Sequence, residues 1–138
     1  MDTHDLLKKS PLFAGFSSRE IESVTETAKE RSFASGEKII EEGEIGRGFY
    51  LLLEGSAQAR KGDTKLADFT PGDYFGEMAL LLEDTPRTAD VIATAASRCL
   101  VITQWDLRAI MKVHPAISHK IMAELAKRLR NTDAALSD

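Results

Sequence analysis

The chain has a single cysteine, Cys99, so no internal disulfide is available to it. The surrounding run, SRCLVIT, is apolar, which suits a buried thiol in a reducing compartment. No apolar run approaches the ~18 residues of a membrane-spanning helix, and the first ten residues, MDTHDLLKKS, carry no signal-peptide pattern. The expectation is a cytoplasmic chain without a membrane span. Basic excess is also missing. With 18 Lys and Arg against 22 Asp and Glu, the net charge is −4. That balance gives no general basic face for nucleic acid, and an anion site would have to be made locally. Internal repeats and low-complexity tracts are absent.

What is present is an ordinary globular composition, 43% hydrophobic and 29% charged over 138 residues. That length fits one domain, 1–138, able to bury a core without staples. Three zones follow along it. Residues 1–30 read as N-terminal helices. HDLLKKSPLF is a short helix stopped near Pro11. FSSREIESVTETAKERSF is a second, capped by Ser17 or Ser18, with Ile21, Val24 and Ala28 at helical spacing. Residues 31–103 read as β: short runs such as KII, GFYLLLEG, SAQARKG, DVIATA and RCLVIT, punctuated by glycine turns about every ten residues. Such a pattern implies an antiparallel sandwich or β-roll. Residues 104–138 are helical again. QWDLRAIMKVH ends before Pro115, and a longer helix carries Ile117, Ile121, Leu125 and Leu129 at four-residue intervals. That stripe can pack on the roll or against a second copy of the chain.

One stretch breaks the β pattern. FGEMALLLEDTPRTADV, residues 75–91, holds a helix-favouring segment inside the roll. A helix beginning at about Glu77 would point its start, with its unpaired N–H groups, at an anion such as a phosphate. Gly76, immediately before it, would let a ligand approach the backbone. Arg87 would supply a planar guanidinium suited to phosphate oxygens. Thr88 adds a hydroxyl, and Ala89 keeps the wall small. Glu77 repels phosphate but accepts hydrogen bonds from hydroxyls. Phosphate and hydroxyls together describe a sugar phosphate or a nucleotide.

The same stretch resembles the phosphate-binding cassette of the cyclic nucleotide-binding domain family: Phe-Gly-Glu, an aliphatic residue, Ala-Leu, a gap, then Pro-Arg-x-Ala. EEGEIGRGFYLLLEGSAQA is similar to the glycine-marked strands that precede it, and the likeness covers nearly the whole chain. It implies a jelly-roll-like β-roll with N-terminal helices, a short phosphate-binding helix and two C-terminal helices. It also implies that Gly76, Glu77, Met78 and Ala79 meet the ribose and phosphate, with Glu77 on the 2′-hydroxyl. Arg87 would pair with the cyclic phosphate, Thr88 would add a hydrogen bond, and Ala89 would stand beside them. Ala59 and Leu66 would line the base. One departure is Asp90, where members of the family often carry threonine or another small or apolar residue; the expectation is that it points outward.

The segment HPAISHKIMAELAKRLRNTD resembles the long helix of bacterial cyclic-AMP-responsive transcription regulators such as the catabolite activator protein, which pairs subunits and lids the pocket. On that match Thr132 meets the adenine amino group. Arg128 either reaches Glu77 and the ribose region or stays an exposed helix charge. Thr88, by contrast, resembles a feature of cGMP-preferring members. The expected ligand is cAMP, with cGMP the alternative. The expected role is a sensor whose C-terminal helices move on binding, acting on an effector protein or a fused domain, with homodimerisation through the last helix left open.

Three other readings compete. A metal-dependent β-roll enzyme wants histidines on strands, yet His4, His114 and His119 all fall outside the β zone. No Ser–His–Asp or Cys–His arrangement is visible either, so neither metal nor catalysis is expected. A degenerate roll acting as a protein-interaction module would have little reason to keep Arg87 and Glu77. A directly DNA-binding regulator is disfavoured by the acidic balance and by the lack of any stretch up to Asp138 resembling a winged helix-turn-helix.

Overall fold

A computed structural model of the chain describes residues 2–76, 82 and 84–137, the side chains of 128 and 132–137 excepted. Eight strands and four helices occur among the described residues. Helix α1 (Thr3–Lys9) is capped by Asp2, whose carboxylate accepts the Asp5 N–H. Helix α2 (Ser18–Thr27) begins with a reciprocal capping box between Ser17 and Glu20, which settles the choice between Ser17 and Ser18. The helix stops at Thr27, and strand β1 (Lys29–Phe33) follows. The sequence pattern groups KERSF with this helix and puts the change to β at about residue 31, two residues later than the strand begins. The misreading has a physical cause: β1 is an edge strand with Phe33 its one buried residue, and charged residues are what protects such an edge.

The remaining strands are β2 (Lys38–Ile40), β3 (Gly48–Glu54), β4 (Ala57–Lys61), β5 (Thr64–Phe69), β6 (Tyr74–Phe75), β7 (Asp90–Ala93) and β8 (Ser97–Thr103). They form two antiparallel sheets, β1-β8-β3-β6 and β2-β7-β4-β5. This is the expected β-roll with flanking helices. Strand β3 reads as a continuous apolar run because both its faces are covered. Phe49, Leu51 and Leu53 pack toward the helices, while Leu52 faces the interior of the roll with Cys99, Val91 and Phe75.

Helices α3 (Gln104–Val113) and α4 (Ala116–Ser137) complete the chain. The apolar stripe of α4 divides. Ile117 and Ile121 are buried among Leu7, Phe16, Ile21 and Leu107; Leu125 is partly buried, and Leu129 is 64% exposed. Two polar contacts tie these helices to α2. Lys120 donates to Glu20 at 2.5 Å, and the Ser23 hydroxyl meets His114 Nε2 at 2.8 Å. Among the described residues, no helix is long and apolar enough to cross a membrane.

Candidate functional site

Arg87 is held by its backbone before its side chain is considered. The loop after β2 runs antiparallel to residues 85–87. Arg87 N–H donates to the Glu44 carbonyl at 2.7 Å, Gly43 N–H donates to the Arg87 carbonyl at 2.9 Å, and Gly46 N–H donates to Thr85 at 3.3 Å. An isolated bridge joins Ile45 and Pro86. The EEGEIG stretch therefore works as a clamp on the Pro-Arg segment.

The guanidinium is fixed by carbonyls. Its Nη2 donates to Gly48 O at 2.6 Å and its Nη1 to Gly76 O at 3.1 Å. Two glycines make room for it. A Cβ on Gly46 would fall 2.5 Å from Arg87 Cζ, and one on Gly76 would fall 2.9 Å from Nη1. Gly76 also has φ +78°, a conformation that L side chains rarely adopt. The sequence gives Gly76 a role in ligand approach and points to none for Gly46 or Gly48 beyond marking a turn. Their GxG spacing ahead of a strand was the available signal.

Beside the guanidinium lies a cavity of about 370 Å³, within the range of roughly 300–1,000 Å³ typical of small-molecule sites. Gly76, Thr85, Arg87 and Thr88 give its lining a polar portion; Ile40, Ala59, Leu66, Ala67, Phe69, Phe75 and Val91 give an apolar one. Of the residues expected at the site, Gly76, Arg87, Thr88, Ala89, Ala59 and Leu66 all meet here. Glu77, Met78 and Ala79, with the helix they were expected to begin, lie outside the described residues, as do the side chains of Arg128 and Thr132 on α4.

Leu66 reaches the cavity through an irregularity. Ala59 pairs with Ala67, but Arg60 pairs with Lys65, so Leu66 is an extra residue on β5. The bulge re-aims its side chain to the rim, where it stays 55% exposed. Sequence alternation alone could not have placed it.

Among the described residues, the acidic side chains near Arg87 are kept off the cavity. Asp90 is absent from its lining. Its Oδ1 accepts the Glu42 N–H at 2.7 Å, its Oδ2 lies 3.5 Å from Lys38 Nζ, and the Glu42 N–H holds its pKa below the usual range. The outward orientation expected for Asp90 is what the structure has. On the other side of Arg87, Glu41 and Glu44 line a second, smaller cavity of about 250 Å³. The Glu44 pKa is raised, first by a hydrogen bond to the Glu41 carboxyl.

Residues 30–114 match the sequence profile of a family described as the cyclic nucleotide-binding domain. A cAMP-dependent protein kinase regulatory subunit from Hypocrea atroviridis is 40% identical over 91 residues, 66% of this chain and 20% of that relative. The cyclic AMP receptor protein of Thermus thermophilus is 30% identical over 135 residues, 94% of this chain and 62% of the relative. Among solved structures, the N-terminal domain of a transcriptional regulator from Streptomyces coelicolor A3(2) superposes with a TM-score of 0.86 at 28% identity, covering 96% of this chain and 95% of that one. The chain thus spans a fifth of the first relative's length and under two thirds of the second's.

Proposed function

The chain belongs to the cyclic nucleotide-binding domain family, and from that premise we propose that it is a cAMP sensor acting by binding and not by catalysis. One observation carries the proposal. The Arg87 guanidinium is fixed by the Gly48 and Gly76 carbonyls against a cavity whose remaining walls are largely apolar. A cyclic phosphate would sit against the guanidinium, where charge-assisted bonds are strong, and the base would lie on the apolar wall.

In this reading Glu77 accepts from the ribose hydroxyl, Met78 and Ala79 continue the cradle, and Thr132 meets the adenine amino group. These roles rest on the match of the sequence to the family's motifs. Both relatives named above carry cAMP in their names, which favours that ligand here. Thr88, whose residue lines the cavity, supports cGMP as the second reading.

Binding would act on the rest of the molecule through α3 and α4. A ligand shifts such helices only as far as its affinities for their two positions differ. The effector is a partner protein or a fused domain. Titration of the purified chain with cAMP and cGMP side by side tests the proposal: saturable binding of cAMP at least as tight as that of cGMP supports it. Binding of neither nucleotide overturns it.

A further inference from the structure

The two sides of the cavity differ in what they can recognise. Among the described residues, Gly76, Thr85, Arg87 and Thr88 bring polar groups from the cassette itself, and Tyr74 of β6 also lines the cavity. The facing wall comes from β4, β5 and β7, and it presents Ala59, Leu66, Ala67, Phe69 and Val91.

On those strands Gln58, Arg60, Lys65, Asp68 and Asp90 are committed elsewhere. Arg60 Nη1 donates to Gln58 Oε1 at 3.1 Å, and Nη2 to the Asp63 carbonyl at 2.9 Å. Asp68 accepts from Lys65 Nζ at 2.7 Å, and that bond, with help from Gln58, holds its pKa below the usual range. Asp90 is bound to the Glu42 N–H and Lys38. The register explains the sorting. Gln58 pairs with Asp68, and Ala59 with both Ala67 and Val91, so small apolar residues form one face and a hydrogen-bonded polar ladder forms the other. The bulge at Leu66 then adds one more hydrocarbon surface at the rim.

We propose that this site is tolerant of the base: it selects the ribose 3′,5′-cyclic phosphate group and accepts purine and pyrimidine rings alike. The inference deepens the sensor reading and rests on it. An apolar wall gains area from any flat ring and cannot strongly reject one that differs in its polar edge. Base selection of many orders needs buried polar partners aimed at that edge. A single hydroxyl such as that of Thr88 or Thr132 separates two bases by roughly two- to tenfold. Such a margin ranks cAMP and cGMP without excluding either.

The test uses the whole chain in calorimetric titrations with cAMP, cGMP, 3′,5′-cyclic CMP and abasic ribose 3′,5′-cyclic phosphate. The expected result is binding of all three nucleotides within about tenfold of one another, with the abasic compound weaker than each. A preference of a hundredfold or more for one base overturns base tolerance while leaving the sensor reading intact. Binding of none of the four overturns both. Leu66→Ala, at an exposed rim position, supplies an independent check: affinity for the three nucleotides should fall by a similar factor, about threefold. A loss confined to one nucleotide overturns the inference.

Discussion

Arg87 and Gly46 occupy space that a single methyl group would contest: a Cβ on Gly46 would fall 2.5 Å from the guanidinium carbon. The arginine's placement is thus written into a glycine far from it in sequence. The same loop also grips the Arg87 backbone on both sides, through Glu44 O and Gly43 N–H.

Gly46→Ala should therefore lower nucleotide affinity by displacing the guanidinium from Gly48 O. Losing one charge-assisted hydrogen bond costs roughly 1.5–3 kcal/mol, so a loss of about tenfold or more is expected. Gly15→Ala, where an added Cβ meets nothing within 4 Å, is the control. Calorimetric titration of both variants checks this, and unchanged affinity in Gly46→Ala would contradict it.

The division of the α4 stripe gives contrasting stability effects. Ile117 is fully buried and Leu129 is 64% exposed. Ile117→Ala should cost about 2–5 kcal/mol, read as a fall in urea midpoint. Leu129→Ala should leave the monomer within about 0.5 kcal/mol. If the distal part of α4 pairs with a second copy, Leu129→Asp will shift a sedimenting dimer toward monomer. A dimer that is indifferent to this change would place its interface elsewhere.

Glu20, 5% exposed, is the buried half of the α2–α4 contact. Burial alone would raise its pKa, but the Lys120 hydrogen bond, the Ser17 N–H and the Lys120 charge together leave it below the ordinary value. A depressed carboxylate stabilises the fold above its unfolded pKa, and that contribution is lost as pH falls through the folded one. Glu20→Gln should thus destabilise the chain at neutral pH, and its deficit against wild type should shrink below pH ~4. Denaturation curves across pH would show this. A deficit constant down to pH ~2 would contradict the ion-pair account.

Much of this was legible from residue order alone. Periodicity located α2, α3 and α4, and glycine turns bounded most of the strands, because both signals arise from local backbone preference. The Phe-Gly-Glu to Pro-Arg-Thr-Ala order pointed to Gly76, Arg87, Thr88 and Ala89 before any coordinate did. Three features were hidden for tertiary reasons. Strand β1 is polar because it is an edge strand, so its residues copy a helix surface. Leu66 itself is named by the family resemblance, but the bulge that carries it to the cavity rim is specified only by its pairing partners. Gly46 and Gly48 resemble ordinary turn residues in sequence; only the fold shows that a Cβ on Gly46 would strike the Arg87 guanidinium and one on Gly48 the Ile102 carbonyl of β8.

Cys99 offers a probe of the roll interior. It is fully buried, and burial pushes its thiol up to about 11. At pH 8 the native chain should react with a disulfide reagent orders of magnitude more slowly than the denatured chain. Prompt native reaction would mean that the sheets part far more readily than their packing implies.

The most direct test of the central claim compares cAMP binding by wild type and Arg87→Ala in one set of calorimetric titrations, with Arg87→Lys alongside and thermal unfolding recorded for each. A loss of about ten- to a hundredfold in the alanine variant is expected from roughly 1.5–3 kcal/mol. Lysine should recover only part of it, because an ammonium cannot reproduce the planar fork. Equal affinity in wild type and the folded alanine variant would contradict the account.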